Sequence, residues 1–243
     1  MARKTKQEAL ETRHKLLDAA EQLFQRQGVS RTSLQQIAEA AGLTRGAVYW
    51  HFKDKAELFQ AMMDRATMPL EEGMTPPDAA ESTPLSLVEL RWGLVNIFHC
   101  AVHNERTRRV FEIAMKKVEY TGELQALQER KLQAMQGWRA QNRAAFERAI
   151  AEGLLPPGLN VTLAAVALVA LVDGLLHQWI IDPEGFDLME VGQTAVEGFL
   201  GSLVGGVETS LLPPLSAAER ERLGLAGACS VARRTEQIHR EAP

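Results

Sequence analysis

The chain has 243 residues, of which 46% are hydrophobic and 24% are charged. This balance is typical of a globular protein with a substantial core and excludes a largely disordered chain. Its two cysteines, Cys100 and Cys229, lie far apart with no neighbouring ligand residues, so we expect neither a disulfide framework nor a metal site. No apolar stretch follows the basic N-terminus, so we expect no secretory signal and a cytoplasmic location.

The charge is distributed unevenly along the chain. Residues 1–55 contain ten Lys or Arg and six Asp or Glu, a net charge of +4. The whole chain carries −4, so the remaining residues carry −8. A basic head on an acidic body indicates that only the head meets a polyanion.

The most apolar segment, residues 161–172, is interrupted by Asp173 and Gly174. Twelve residues are too few to cross a bilayer, so we expect a buried helix and no membrane partner.

In the N-terminal part, capping boxes predict the starts of three helices. Gly28 and Gly42 suit helix ends, and Thr44 is placed to cap a short helix that runs to about His51. The three boxes are Thr5–Glu8, Thr32–Gln35 and Asp54–Glu57.

Residues 67–86 contain four prolines and predict a broken helix end and a loop, with Pro69 kinking or stopping the fourth helix. After this segment the apolar period is helical throughout and no strand is predicted. The predicted later helices are about 86–103, 107–120, 123–152, 161–181 capped by Asn160, and one capped by Asp187 that ends near Val204.

These elements predict an all-α fold. We expect an N-terminal three-helix helix-turn-helix DNA-binding domain and a larger helical second domain. The predicted boundaries are 1–66 for the DNA-binding domain, 67–86 for the connection, 87–206 for the second domain and 207–243 for a mobile tail, with one short helix from Ser216.

The second and third helices are joined by "AAGL", whose glycine permits the tight turn of a helix-turn-helix. In that motif the second short helix enters the major groove and its first residues meet base edges. Here Arg45 can donate a forked pair of hydrogen bonds to guanine, and Gly46 lets the backbone approach closely.

Four rings follow, Tyr49 to Phe52. We expect Val48 and Phe52 to pack inward, and the other three rings to face phosphates. The alternative is that all four rings are core and the nearby lysines only a solvated face. Lys55 opens the fourth helix beside free N–H groups, and Arg3, Lys4 and Lys6 form a basic arm. The predicted DNA contacts are Lys6, Thr32, Ser33, Thr44, Arg45, Gly46, Tyr49, Trp50, His51 and Lys55.

The segments "TSLQQIAEAAGLTRGAVYWHFKDKAELF" and "MARKTKQEALETRHKLLDAAEQLF" resemble TetR-family transcriptional repressors, in particular the AcrR/TtgR-like group that represses multidrug efflux pump genes. The resemblance is strong over about residues 1–66 and weaker to about residue 206. It implies that Arg45, Tyr49, His51 and Lys55 contact operator DNA. It also implies that the larger helical domain is a ligand-binding and dimerisation domain, with a homodimer joined by a four-helix bundle, middle helices around an apolar ligand pocket, and no cofactor.

The candidate ligand-lining residues combine an apolar stripe with three polar groups; the same stripe is also what an ordinary core would show. Asp173 is a candidate anchor for a cationic drug; the alternative is a simple cap or hydrogen bond at Gly174. For His177 the alternative to a ligand contact is an exposed or satisfied histidine. The candidates are Leu90, Leu94, Ile97, Phe98, Phe111, Met115, Met135, Trp138, Asn142, Val169, Val172, Asp173, Leu176 and His177.

Gly198, Gly201 and Gly205 in the last helix favour close approach of a partner helix; the alternative is a loosely formed helix end.

We expect a homodimeric repressor that binds a palindromic operator and is released by a small hydrophobic ligand, a drug or a toxic aromatic compound. A regulator of lipid or other metabolism with an acyl-type ligand is the alternative. A scaffold protein that uses DNA only as an anchor would show no ligand response. An enzyme is not expected, because no nucleophile with its base, metal spacing or phosphate loop is present.

Overall fold

The computed structural model describes residues 6–74, 84–120 and 122–204, with the backbone alone for 68–74 and Glu123. Within these ranges the regular structure is helical and no strand forms, which confirms the all-α prediction. The α-helices are α1 Lys6–Gln27, α2 Leu34–Ala40, α3 Arg45–His51, α4 Lys55–Met74, α5 Leu87–His103, α6 Glu105–Lys116, α7 Gln125–Ala151, α8 Val161–Ile181 and α9 Leu188–Val204; a 3₁₀ turn, Gly122–Leu124, precedes α7.

Helices α1 to α4 form the head of the molecule. Gly28 and Gly42 have φ values of 85° and 68°, a left-handed conformation that suits glycine, and they end α1 and α2 as predicted. The hydroxyl of Thr44 accepts the N–H of Ala47 and caps α3. Fully buried Leu16, Phe24, Ile37, Val48 and Phe52 are among the side chains that form the core of the head.

The predicted Thr32–Gln35 capping box is wrong by one residue. Ser33 is the N-cap of α2: its hydroxyl accepts the N–H of Gln36, and the Gln36 side chain accepts the N–H of Ser33. Thr32 is buried instead, and its hydroxyl donates to the carbonyl of Gly28 at 2.7 Å. Both residue pairs have the spacing of a capping box, and packing of Thr32 against the end of α1 decides between them.

The opening of α4 also differs in detail. Asp54 accepts the N–H of Glu57 at 2.8 Å as predicted, but the Glu57 carboxylate accepts the N–H of Lys53 rather than that of Asp54.

Pro69 does not stop α4, contrary to the expected break of the helix from residue 67. The helix continues to Met74, so the connection to α5 is shorter than predicted. A proline lacks one N–H donor, and a helix that keeps its other hydrogen bonds can extend past it.

Helices α5 to α9 form the body around a second core that includes Phe98, Phe146 and Leu168. Asn160 and Asp187 cap α8 and α9 as predicted, and Ser86 caps α5. Helix α6 is shorter than predicted and is displaced toward the N-terminus, because Asn104 rather than a later residue caps it. Thr5, Gly205 and the helix expected from Ser216 lie outside the described residues.

Helix α8 is 21 residues long with a mean hydropathy of 1.8, so it has the length and composition of a membrane span. The prediction judged the apolar stretch too short because it counted only to Val172. In the fold, α8 packs against α7 and α9 and buries Leu168, Val172 and Leu176, as the core helix of a globular body does. An apolar face of α8, with Leu163 and Ile181, remains exposed.

Candidate nucleic-acid interface and ligand cavity

Helix α3 packs one face against the head core and exposes polar and aromatic side chains on the other face. Val48 and Phe52 are buried in the head core, whereas Tyr49 is 48% and Trp50 is 71% exposed. This division is the one predicted for the four-ring segment. His51 is partly buried, and its ring meets that of Trp50 edge-on at 4.7 Å.

Arg45 and Tyr49 form a pair on the exposed side of α3, one helical turn apart. The guanidinium of Arg45 donates to the Tyr49 hydroxyl at 3.4 Å and lies 5.4 Å from the ring centre. Both contacts hold the long arginine side chain near the start of the helix. Gly46 leaves open space there, because a Cβ would meet only the Thr44 hydroxyl, at 3.9 Å. A base edge can therefore approach the helix start closely.

A groove of about 420 Å³ runs from the α1–α2 loop to α3. It adds Ser30, Arg31 and Gln35 to the predicted DNA contacts, and the sequence reasoning missed all three. Arg31 is exposed, and no described carboxylate pairs with it. The local +4 charge was the available signal, but it could not show which arginine the loop would turn toward the groove. The groove is lined by Ser30, Arg31, Thr32, Ser33, Leu34, Gln35, Arg45, Tyr49 and Lys55.

Two predicted contacts play a different role in the structure. The Lys55 side chain is only 4% exposed, and its ammonium donates to the carbonyls of Thr32, at 2.9 Å, and Ser30, at 3.4 Å. Thr32 is buried as well. Both side chains fix the loop before α2 instead of extending into solvent. Ser33, Thr44 and Lys6 are exposed as predicted, whereas Arg3 and Lys4 lie outside the described residues.

An ionic cluster connects the head to the body; we call it the junction cluster. Glu21 of α1 is 1% exposed and pairs with Arg65 of α4. Two arginines of α6 also approach it, Arg106 at 3.6 Å and Arg109 at 3.7 Å. Asp18 takes part through Arg65, at 2.9 Å, and Arg106, at 3.1 Å. A carboxylate this deeply buried needs such partners, because desolvation disfavours its charged form.

Helix α6 belongs to both cores. Its Val110 and Ile113 are fully buried in the head core, and its Phe111 is buried in the body core. At its C-terminal end the Lys117 carbonyl accepts the N–H of Val29 at 3.0 Å. Any displacement of α6 therefore acts directly on α1.

In the body, a cavity of about 20 Å³ lies between α5, α7 and α8. Seven of the predicted ligand-lining residues surround it, and Gln141 was missed. Trp138 and Gln141 are exposed and lie at its rim, whereas Asn142 is 5% exposed. The lining residues are Leu90, Leu94, Ile97, Trp138, Gln141, Asn142, Val169 and Val172.

The other predicted lining residues lie elsewhere. Phe98, Phe111 and Leu176 are core, with the Phe98 ring against Gly192, and Met115 and Met135 are half-buried. Asp173 and His177 are exposed on the outer side of α8. In this conformation neither polar group faces the cavity, because the helical period turns both of them outward from Val172 and Leu176.

Two further kinds of site were considered, a reactive thiol and a metal site. Burial raises the pKa of the Cys100 thiol, which keeps it protonated at neutral pH. Within residues 6–74, 84–120 and 122–204, no three His, Cys, Asp or Glu side chains are grouped to hold a metal ion.

Comparison with known proteins agrees with this geometry. Residues 16–62 match the family described as "Bacterial regulatory proteins, tetR family", and residues 84–204 match the "MAATS-type transcriptional repressor, C-terminal region". The chain belongs to the TetR family. The HTH-type transcriptional regulator TtgR of Pseudomonas putida is 39% identical over 189 residues, which cover 78% of this chain and 90% of TtgR.

Solved structures of TetR-family proteins show the same fold. NalD, the secondary repressor of the MexAB-OprM multidrug efflux pump in Pseudomonas aeruginosa, superimposes with a TM-score of 0.71 at 37% identity, covering 82% of this chain and 99% of NalD. SmeT in its complex with triclosan gives a TM-score of 0.71 at 32% identity, covering 85% of this chain and 99% of SmeT. SmeT is the repressor of the Stenotrophomonas maltophilia multidrug efflux pump SmeDEF.

Proposed function

We propose that this TetR-family protein is a ligand-responsive repressor of a multidrug efflux operon, acting in the cytoplasm. The observation that carries the proposal is the pairing of two sites in one chain. The Arg45–Tyr49 pair is exposed at the start of α3, where the proposal puts the base contacts, and the lining of the body cavity is mostly apolar, as the proposal requires of a ligand site. NalD and SmeT, which share the fold at more than 30% identity, repress such pumps. The proposal assigns no catalytic step to the chain.

The proposed repressor is a homodimer that reads a palindromic operator. The outer faces of α8 and α9 support it, since Leu163, Val166 and Val204 are exposed there. A Cβ added at Gly198 or Gly201 meets no atom within 4 Å, so a partner helix has room to approach. Two copies of α3 would then read half-sites about 34–36 Å apart, or a multiple of that distance.

Ligand release is proposed to pass through α6. A ligand that opens the cavity moves the walls formed by α5, α7 and α8, against which Phe111 of α6 packs. Helix α6 then shifts α1 through the junction cluster and through Val110 and Ile113. Helix α4 offers a second route to the head, since its Arg65 belongs to the same cluster. Such coupling typically amounts to ~1–3 kcal/mol, which weakens operator binding up to ~150-fold.

The test is fluorescence anisotropy on labelled DNA from upstream of the protein's own gene and its neighbours, against a scrambled duplex at fixed salt. We expect selective binding that a hydrophobic compound weakens. Equal binding to both duplexes would contradict the operator assignment. Release by acyl compounds alone would favour the alternative, a regulator of lipid or other metabolism.

A further inference from the structure

A pocket of about 270 Å³ lies where the end of α1 and the loop after it meet the end of α6. Four basic side chains line this pocket, two from the head and two from the body, and among its described lining residues Glu119 alone is acidic. The lining therefore carries a formal net charge of +3. The basic residues are Arg26, Arg31, Lys116 and Lys117, and the other lining residues are Gln27, Gly28, Ser30 and Val118.

The four basic side chains form no ion pair with any carboxylate that the structure describes, Glu119 included. At the other end of α6, by contrast, Arg106 and Arg109 both approach the carboxylate of Glu21. The ammonium of Lys116 donates to the carbonyl of Ile180 and keeps two of its three donors. Like charges gathered without a counter-charge repel one another, so an anion in this pocket would relieve the repulsion.

Hydrogen bonds fix the backbone that forms the walls of the pocket. The N–H of Val29 donates to the carbonyl of Lys117 at 3.0 Å, which joins the loop after α1 to the end of α6. The Gln27 side-chain amide donates to the carbonyl of Arg31 at 3.3 Å. The Arg31 side chain itself is exposed. An anion that binds here would order side chains only, which limits the entropic cost of binding.

The size and polarity of the pocket favour a small anion with more than one charge. Pockets for drug-sized ligands have volumes of about 300–1,000 Å³ and mostly apolar linings. This pocket is smaller, and Val118 is the apolar side chain among its described lining residues. Guanidinium and ammonium groups both bind phosphate oxygens through charge-assisted hydrogen bonds.

We infer that this pocket binds a small anion of the phosphate class, such as pyrophosphate, and that the anion bridges the head and the body. Arg26 and Arg31 hold it from the head, and Lys116 and Lys117 hold it from the body. The site is separate from the cavity between α5, α7 and α8 and from the groove beside α3, so the inference goes beyond the proposed function. Because Arg31 also lines that groove, a bound anion competes with DNA for its guanidinium.

The experiment is a calorimetric titration of the full chain with pyrophosphate at neutral pH, without DNA. We expect saturable one-to-one binding with a dissociation constant of about 1 mM or below at low ionic strength. Binding should weaken at physiological ionic strength, because salt screens exposed charges. Acetate, with a single charge, should bind at least several-fold more weakly than pyrophosphate.

Three variants locate the binding site. Arg26→Gln removes a cation of the head and Lys117→Gln removes a cation of the body. Each is expected to weaken pyrophosphate binding about two- to fivefold, as the loss of one exposed charge pair does. Lys15→Gln is the matched control: it removes the same charge from an exposed position of α1 outside the pocket and should leave binding unchanged.

The absence of saturable pyrophosphate binding by the wild type would overturn the inference. Equal weakening by Lys15→Gln would overturn it too, because binding would then respond to net charge alone. An effect of Arg26→Gln without an effect of Lys117→Gln would contradict the bridge between head and body.

A further outcome separates a small anion from the DNA backbone, which carries the same phosphate chemistry. If Lys117→Gln weakens operator binding while the wild type binds no pyrophosphate, the lysine contacts DNA and the inference is wrong. The proposed function fails on a different measurement, the absence of selective operator binding by the wild type. The two failures are therefore distinguishable.

Discussion

The head of this protein exposes its candidate DNA contacts, whereas the body buries most of the residues that line its candidate ligand cavity. The head buries apolar side chains such as Val48 and Phe52 and leaves Arg45 and Tyr49 in solvent, already paired with each other. The body does the reverse, since its cavity holds only about 20 Å³ and the polar side chain of Asn142 in its lining is buried. The head is thus prepared to bind, whereas the body must open first. A ligand can alter operator affinity only if opening the body changes the head.

The largest effect should come from removing the reading side chain. Arg45→Ala is expected to weaken operator binding by about 2–6 kcal/mol over two half-sites, since a forked contact to guanine contributes ~1–3 kcal/mol. Arg31→Ala is the matched control on the groove wall, with an expected loss that is similar for operator and scrambled DNA. Anisotropy at several salt concentrations separates the two. Equal loss of selectivity in both variants would contradict the role of Arg45.

The second test breaks the connection between head and body. Glu21→Gln keeps the shape of the side chain but removes the charge that Arg65 and Arg109 surround. Because Arg106 and Arg109 remain partly exposed to solvent, we expect a moderate loss, about 1–3 kcal/mol, in urea unfolding. We also expect operator release by ligand to decrease. If the variant is less stable but ligand still releases it fully from the operator, the junction cluster has only a structural role.

The head could be predicted from sequence because its signals are local. Thr44, Gly42 and the α3 residues determine their own conformation within a few positions. The capping error arose where packing decides, since Thr32 is buried against α1 and Ser33 therefore caps α2. Packing also decides that the Lys55 ammonium turns toward two loop carbonyls. Local spacing cannot distinguish these alternatives, because both satisfy it.

The body was less predictable for the same reason. Six apolar lining residues follow the helical period, but the period cannot say which of the three polar candidates faces inward. Asn142 lies inside and Asp173 outside, and only the packing of α7 on α8 decides this. The double role of α6 was also missed, since Phe111 and Val110 are adjacent in sequence yet belong to different cores.

A third test uses two glycines of α9 that face opposite ways. A Cβ at Gly192 would lie 2.5 Å from the Phe98 ring, so Gly192→Ala should destabilise the body by about 1–3 kcal/mol. Gly198→Ala meets open space and should raise the helix propensity by up to ~1 kcal/mol within one chain. Thermal unfolding measures both variants.

The Gly198→Ala variant also tests the dimer proposal. If the outer face of α9 meets a partner closely, Gly198→Ala should raise the dimer dissociation constant, which sedimentation measures. An unchanged constant together with higher stability would contradict close approach at this glycine.

The smallest expected effect concerns the start of α5. Hydrogen bonds from the backbone N–H and then the hydroxyl of Ser86 lower the pKa of Glu89 below its usual 4.5. The ionised carboxylate therefore stabilises the fold at pH values above 4.5, and this contribution is lost as the pH falls through the lowered pKa. Glu89→Gln should lower the melting temperature slightly at pH 7, and the difference from wild type should vanish in acid. A difference that grows in acid would contradict this assignment.

The most direct test of ligand-controlled repression is reciprocity between the two sites. The operator dissociation constant is measured with and without a saturating hydrophobic compound that binds the free protein, and the dissociation constant of that compound with and without saturating operator. Linkage requires both constants to rise by the same factor, and we predict a factor between several-fold and ~150-fold. Binding of the compound that leaves the operator constant unchanged would contradict the account, because the ligand site would then be uncoupled from the head.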